Sequence, residues 1–195
     1  IGKPSHAGNK PEEGINAIQV AAKAIDRMSL LRIDKETTAN IGTIKGGRAT
    51  NIVCPEVVIT AEARSHDNNK LDIQTNHMID CFREAAQKLG AETIVDVKNE
   101  YAAYEINDRD GFTNFIIDAG KRLNIDMKTK ASGGGSDANN LNANGIKALN
   151  LAVGMTNVHT LEEKIAVNDL VNGASLVFEV IQKAGSEKKY FSDQN

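Results

Sequence analysis

The chain has 195 residues, a formal net charge of −3, 41% hydrophobic and 25% charged residues, enough for one large domain or two small ones. This balance is ordinary for a globular protein; it leaves no basic footprint for nucleic acid, and aromatics at 4% with no Trp argue against base-stacking platforms. No apolar run reaches the length of a membrane span, and Cys54 and Cys81 are too few and too scattered for a zinc knuckle or disulfide framework, so a reducing cytoplasm is the expected setting.

The chain opens with Ile1 rather than Met, and residues 1–6 read as the end of a strand running into a loop, so further chain is expected upstream. Pro11, Glu12 and Glu13 form a helix start, because proline fits the first turn and acidic groups oppose the positive end of the helix dipole. Ile15, Ile18, Ala22, Ile25 and Met28 continue at helical spacing, with an end expected near Leu31. Residues 41–45 are short and β-branched, and Gly46-Gly47 breaks them. Residues 52–63 read as a strand with alternating faces. Leu71, Thr75, Met78, Phe82, Ala85 and Leu89 predict a helix over 70–89 that stops at Gly90. Residues 93–104 are rich in β-formers, among them Ile94, Val95, Val97 and Tyr101.

With the opening strand counted, this order is the βαββαβ of a ferredoxin-like sandwich. The polar turn cluster 107–111 marks the expected boundary. Beyond it come a helix through Phe112, Phe115, Ile116, Ala119 and Leu123, a short strand near Met127, and a glycine loop. An apolar stretch over 148–153 and a last amphipathic helix through Val167, Leu170, Val171, Ala174, Phe178 and Ile181 follow. The expected organisation is therefore α+β / α/β: a domain over 1–106 with its first strand truncated, a second over 107–185, and a polar, frayed tail over 186–195.

Few residues bear chemistry. The loop Gly133-Gly134-Gly135-Ser136-Asp137 has no following GK[ST], so it is not a phosphate-binding P-loop. It is either a flexible turn or a place where backbone N–H groups approach a ligand closely. His159, in Asn157-Val158-His159-Thr160, reads alone as a surface or structural histidine, since zinc needs three or four ligands and no HExxH or CxxC completes a set. His6 reads as an exposed loop histidine, and Arg64 as a surface ion pair with Glu62 or Asp67. The adjacent pairs Glu12-Glu13 and Glu162-Glu163 each read as helix-dipole compensation.

Three segments change the weight of these residues. Residues 5–14 (SHAGNKPEEG), 47–64 (with Thr50-Asn51 through Pro55, then Glu62-Ala63-Arg64) and 133–163 (GGGSDAN through NVHT) occur in this order. Together they resemble the di-zinc exopeptidase family of peptidase T, carboxypeptidase G and the aminoacylases, and most nearly its tripeptidases. The resemblance covers essentially the whole chain. It implies a ferredoxin-like lid that dimerises, followed by the C-terminal portion of an α/β catalytic domain. It also implies that the remaining metal ligands and the general-base glutamate lie in an N-terminal half outside these residues.

In the family's terms, His159 is a metal ligand, and Gly134, Gly135 and Ser136 line the substrate cleft. Asp137 braces that loop. His6 stabilises the oxyanion, commonly in the partner subunit, and Asn51 and Arg64 hold the substrate; an arginine fork suits a carboxylate. The cofactor implied is zinc, two ions per active site, with cobalt or manganese as substitutes. The partners implied are a short peptide substrate and a second copy in a homodimer built through the lid. Two other readings stand beside the peptidase: an N-acyl-amino-acid amidohydrolase of the same family, and, for these 195 residues alone, an inactive dimerisation or binding module. Thirteen residues of straight strand would span about 40 Å. Unless the chain bends near Pro55, Asn51 and Arg64 then serve different active sites.

Overall fold

The computed structural model describes residues 1–186; the expected frayed tail lies, apart from Ser186, outside the described residues. The chain divides into two compact units, Ile1–Ala103 and Tyr104–Asn195. The architecture is mixed α/β with a small antiparallel sheet.

In the first unit, Pro11–Glu13 makes one 3-10 turn, and the helix expected to run on from it is interrupted. Gly14 is extended, and Ile15 pairs its backbone with Lys3, donating and accepting at 2.9 Å. Asn16 then caps α1 (Ala17–Asp26), its side chain accepting from the N–H of Ile18 and Gln19. The local helix signal at Pro11 thus loses to a pairing with residues far back in the chain. Helix α1 ends at Asp26 rather than near Leu31, because Leu31–Arg32 forms a short strand, β1.

Strand β2 (Thr38–Gly46) pairs antiparallel with β1 and with β3 (Val57–Arg64), giving the order β1-β2-β3. It ends where expected: Gly47 has φ +81°, a left-handed conformation that suits glycine. The strand expected over 52–63 starts only at Val57. Before it, the chain pairs with the amino-terminal segment instead: Val53 N–H donates to Ser5 O at 2.9 Å and Gly2 N–H to Pro55 O at 2.7 Å. Helix α2 (Asn68–Leu89) is capped by Asp67 and stopped by Gly90 at φ +72°.

The core lies between α1, α2 and the sheet: Val20, Ala24, Met28, Ala39, Met78, Cys81, Ala85 and Ala86 are buried together. Residues 93–104 form no strand, which corrects the expected last strand of the βαββαβ order. Ile94 and Val97 are 74% and 59% exposed; a β-forming sequence makes a strand only against a paired neighbour and a face to bury.

One acidic group ties the β1–β2 turn to α2. Asp34 accepts from the N–H of Glu36 and Thr37 at 2.9 and 2.8 Å, and Lys70 reaches both Asp34 and Glu36. The Glu36 N–H bond, with Lys70 and Thr37 assisting, holds the Asp34 carboxyl down at about 2. A carboxyl whose folded value lies below its unfolded value stabilises the fold above about pH 4, and that contribution is lost as pH falls towards 2. Thermal melts of wild type should therefore drop over that window, and Asp34→Asn should flatten the drop.

In the second unit, α3 (Gly111–Arg122) starts at its cap Asp110, which accepts from Phe112 N–H at 2.8 Å and pairs with Lys147 at 2.8 Å. Lys147 and the Phe112 N–H lower the Asp110 carboxyl below its ordinary value. No strand forms near Met127; its sulfur fills the space beside Gly120 of α3, 2.3 Å from where a Cβ would stand. Helix α4 (Asp137–Ala143) follows the glycine loop, and α5 (Val167–Ser186) packs on α3. Helix α5 buries Leu176 and Lys183, whose ammonium donates to Phe115 O at 3.1 Å and lies 4.2 Å from the Phe115 ring centre. The stripe expected to face a core, including Val167, Leu170, Val171, Phe178 and Ile181, is exposed instead, because α3 occupies the other face.

Candidate functional site

Two separate groups of candidate residues result, one in each unit. In the first, His6 pairs with Ile52 in an isolated antiparallel bridge, and Ala7 N–H donates to Asn51 O at 3.0 Å. His6 and Asn51 are therefore neighbours on two short paired segments. The His6 ring is set by its own loop: the N–H groups of Gly8 and Asn9 both donate to Nδ1, at 3.1 and 3.2 Å. Nδ1 must present a lone pair to them, so the neutral ring carries its proton on Nε2. The side chain is exposed, and Nε2 has no partner among the described residues. The loop thus fixes an imidazole with one outward N–H donor.

Arg64 lies elsewhere. Its guanidinium forks onto Glu62, Nε to Oε1 at 3.1 Å and Nη2 to Oε2 at 2.9 Å, and that ion pair raises it above the ordinary arginine value. Residues 62 and 64 share a strand face, which makes this pairing local. Arg64 is paired across to Thr38, at the end of the β2–β3 hairpin opposite to the 47–56 connection that carries Asn51. Seven strand steps from Val57 to Arg64 amount to about 23 Å.

In the second unit, the glycine loop ends in a helix cap. Ser136 Oγ accepts from Ala138 N–H at 3.2 Å, and Ser136 N–H donates to Asn139 Oδ1 at 3.0 Å, a reciprocal capping box. The Asn139 N–H completes the box on Ser136 Oγ, and Asn150 Nδ2 also donates to that oxygen at 2.8 Å, so the hydroxyl is engaged within its own unit. A Cβ at Gly133 would meet nothing within 4 Å, and Gly134 would meet only Ser132 Oγ at 3.5 Å. Among the described residues, packing requires neither glycine. Asp137 is the first residue of α4 and exposed. Ser136→Ala should cost about 1 kcal/mol through the lost cap, measurable as a small downward shift of the chain's melting temperature.

His159 does not follow a strand. It sits in a turn closed by Thr156 and Lys164, whose backbones pair at 2.9 and 3.1 Å. Asn157 and His159 hold φ of +53° and +65°, left-handed values that cost a non-glycine residue energy and gather at functional sites. Glu163 holds that backbone: its carboxylate accepts from His159 N–H at 2.7 Å. This corrects the helix-dipole reading of Glu162-Glu163, since α5 begins only at Val167. The positioning role of Glu163 had one sequence signal, its four-residue distance from a histidine.

Among the described residues, no group of three or more His, Cys, Asp or Glu side chains comes together as a metal could use. A catalytic zinc takes three protein ligands. His159 by itself does not meet that need, and the described residues do not assemble the metal centre that the motifs imply. No helix among the described residues is long and apolar enough to cross a membrane.

Known proteins match along this whole arrangement. A family model described as a peptidase dimerisation domain matches residues 1–89, and one described as M42 glutamyl aminopeptidase matches residues 54–176. The chain belongs to the M20/M42 peptidases. The protein YqjE of Bacillus subtilis, itself uncharacterized, is 44% identical over 184 residues, 94% of this peptidase-family chain and 50% of that protein. The crystal structure of an aminopeptidase, PepT, from Bacillus cereus superposes with TM-score 0.78 at 43% identity, covering 94% of this chain and 49% of that one. A tripeptidase from Staphylococcus aureus gives TM-score 0.83 at 43% identity, covering 93% and 48%. The chain spans about half the length of these relatives.

Proposed function

We propose that the protein carrying this chain is a zinc-dependent exopeptidase that removes the N-terminal residue of short peptides, tripeptides foremost. The observation that carries this reading is the His6 ring, held by Gly8 and Asn9 so that Nε2–H alone faces outward. A peptide carbonyl under attack develops negative charge on oxygen, and a preset donor in a dry site stabilises it. His6 is assigned that role, with Asn51 beside it as a substrate-holding side chain. The aminopeptidase and tripeptidase descriptions of two relatives at 43% identity support the substrate class.

The second unit is assigned to the catalytic domain and the first to a lid through which two copies pair. The residues 1–89 matched by a peptidase dimerisation model support that pairing. A bound metal, zinc or alternatively cobalt or manganese, would supply the activated water; His159 is the one ligand proposed here. Gly134, Gly135 and Ser136 line the substrate cleft. Asn51 and Arg64 stand at opposite ends of the β2–β3 hairpin, which supports their serving different active sites of a dimer. Cys54 and Cys81 are both free, which supports a cytoplasmic setting.

A substrate panel on that protein tests the reading. Release of the first residue from tripeptides supports it, and cleavage of N-acyl amino acids alone would establish the amidohydrolase instead. The lack of a ligand cluster among the described residues favours a companion expectation. The 195 residues alone should neither cleave tripeptides nor retain zinc after dialysis, and stoichiometric zinc would contradict it.

A further inference from the structure

Glycine is a poor helix residue, because it loses the most backbone freedom on folding. Gly173 nevertheless lies inside α5. A Cβ there would stand 2.9 Å from Val153 Cγ1 and 3.5 Å from Val153 Cβ. One turn earlier on the same helix face, Asp169 closes over Gly154, where a Cβ would come within 2.9 Å of the Asp169 Cβ and Oδ2. Val153 and Gly154 thus sit in a notch of α5 that one added methyl group would fill. Two residues further on, Thr156 pairs with Lys164 and closes the turn that carries His159.

The other end of this segment is fixed to α4. The Asn142 side chain holds Ala148 as a strand neighbour would, donating to its O at 2.8 Å and accepting from its N–H at 3.3 Å. Asn142 Nδ2 also donates to Ala138 O at 2.7 Å, which ties this clasp to the first turn of α4. Two residues beyond Ala148, Asn150 Nδ2 donates to Ser136 Oγ at 2.8 Å, where the glycine loop ends. Residues 148–154 therefore form one span, bonded to the glycine loop at Asn150 and seated on α5 at Val153 and Gly154. We propose that this span holds the glycine loop and the His159 turn in one frame, with Asn150 and Gly173 as positioning residues for the reaction. The inference rests on the peptidase reading for the roles of Ser136 and His159, and adds the parts that set one against the other. A misplacement of about 1 Å between substrate and reacting groups costs about 10²-fold in rate. A methyl group at position 173, pushing Val153 off α5, is therefore felt at His159 without touching it. Glu163 secures the inside of the turn through the His159 N–H at 2.7 Å, whereas the seat on α5 secures the turn as a whole.

The test is NMR of the backbone amides and the His159 ring in the 195-residue chain, followed by kinetics on the protein carrying it. Gly173→Ala should move the signals of residues 156–164, although alanine is the better helix former. Adding Val153→Ala leaves only a Cβ at 3.5 Å, an ordinary contact, and should return those signals to their wild-type positions. Asn150→Ala should instead move the amides of Gly134, Gly135 and Ser136. In tripeptide cleavage, Gly173→Ala should lower kcat about tenfold or more with KM little changed, and the double variant should recover the rate. Asn150→Ala should raise KM about tenfold, since it frees the loop that holds substrate. Unmoved signals in either single variant would overturn the proposal. So would a shift in Gly173→Ala that Val153→Ala does not relieve, which would mark Gly173 as a residue of α5 alone. If wild type cleaves tripeptides and Gly173→Ala cleaves them equally well, the proposal falls and the peptidase reading stands. If wild type cleaves none, the peptidase reading falls, and the NMR signals still decide whether the span is one frame.

Discussion

Replacing His6 by alanine is expected to lower kcat of the protein carrying this chain by about 10²–10³-fold, the usual cost of one oxyanion donor. The interaction is made mainly as charge develops, so KM should change much less. The fold should tolerate the change. The His6 ring is exposed and its two bonds come from its own loop, while the segment keeps its backbone pairing through Ser5 and Ala7. His6→Gln should recover part of the rate, because its amide can donate, although without the Nδ1 anchoring that fixes the ring. A drop in kcat with an unchanged melting temperature is the expected pair of readings. A fall in both would mark His6 as a structural residue, and an unchanged kcat would remove it from the reaction.

The second large effect is on stability. Met78 is 6% exposed and stands among Val20, Ala24, Ala39, Cys81 and Ala85, where α1 and α2 meet the sheet. Met78→Ala should cost about 2–5 kcal/mol. Its neighbours argue for the upper part of that range: alanines have no χ angle with which to turn into a void, so the cavity stays open. For a unit of this size the loss corresponds to a fall in melting temperature of about 10 °C or more, read on the 195-residue chain by circular dichroism. Met78→Leu, which keeps the volume, should cost under about 1.5 kcal/mol. The same core carries the candidate site, because the start of α1 is bonded to the 47–54 segment through Ala17 N–H and Cys54 O at 2.8 Å. A destabilised α1–α2 pair should therefore also loosen the 47–54 segment that carries Asn51.

Legibility in the sequence followed the range of the interaction. Helix α2 was readable because its signals are local: apolar residues at steps of three and four, then Gly90 at a left-handed position. The end of β2 at Gly46-Gly47 was readable for the same reason. The break between Pro11–Glu13 and α1 was not, because Ile15 leaves the helical pattern to pair with Lys3. Asn16, a good cap residue ahead of an apolar run, was the sequence signal that marked the true start. Residues 93–104 show the same limit from the other side: their composition favours a strand, and a strand also needs a neighbour that composition does not reveal. In the candidate site, the motifs singled out His6, Asn51, Arg64, the glycine loop and His159 as residues. They were silent on the His6 tautomer, on the capping box that engages Ser136, and on Glu163 bracing His159.

His6 and His159 are assigned to one reaction, supplied by different subunits of a homodimer. Subunit mixing tests this most directly. His6→Ala and His159→Ala variants of the protein carrying this chain should each be nearly inactive alone, and are then mixed in equal amounts under conditions that exchange subunits. If His6 acts in the partner's site, each mixed dimer regains one intact site, and about a quarter of wild-type activity returns. If both histidines serve their own subunit, or if His6 takes no part, the mixture stays at the level of the separate variants, and that result would contradict the account.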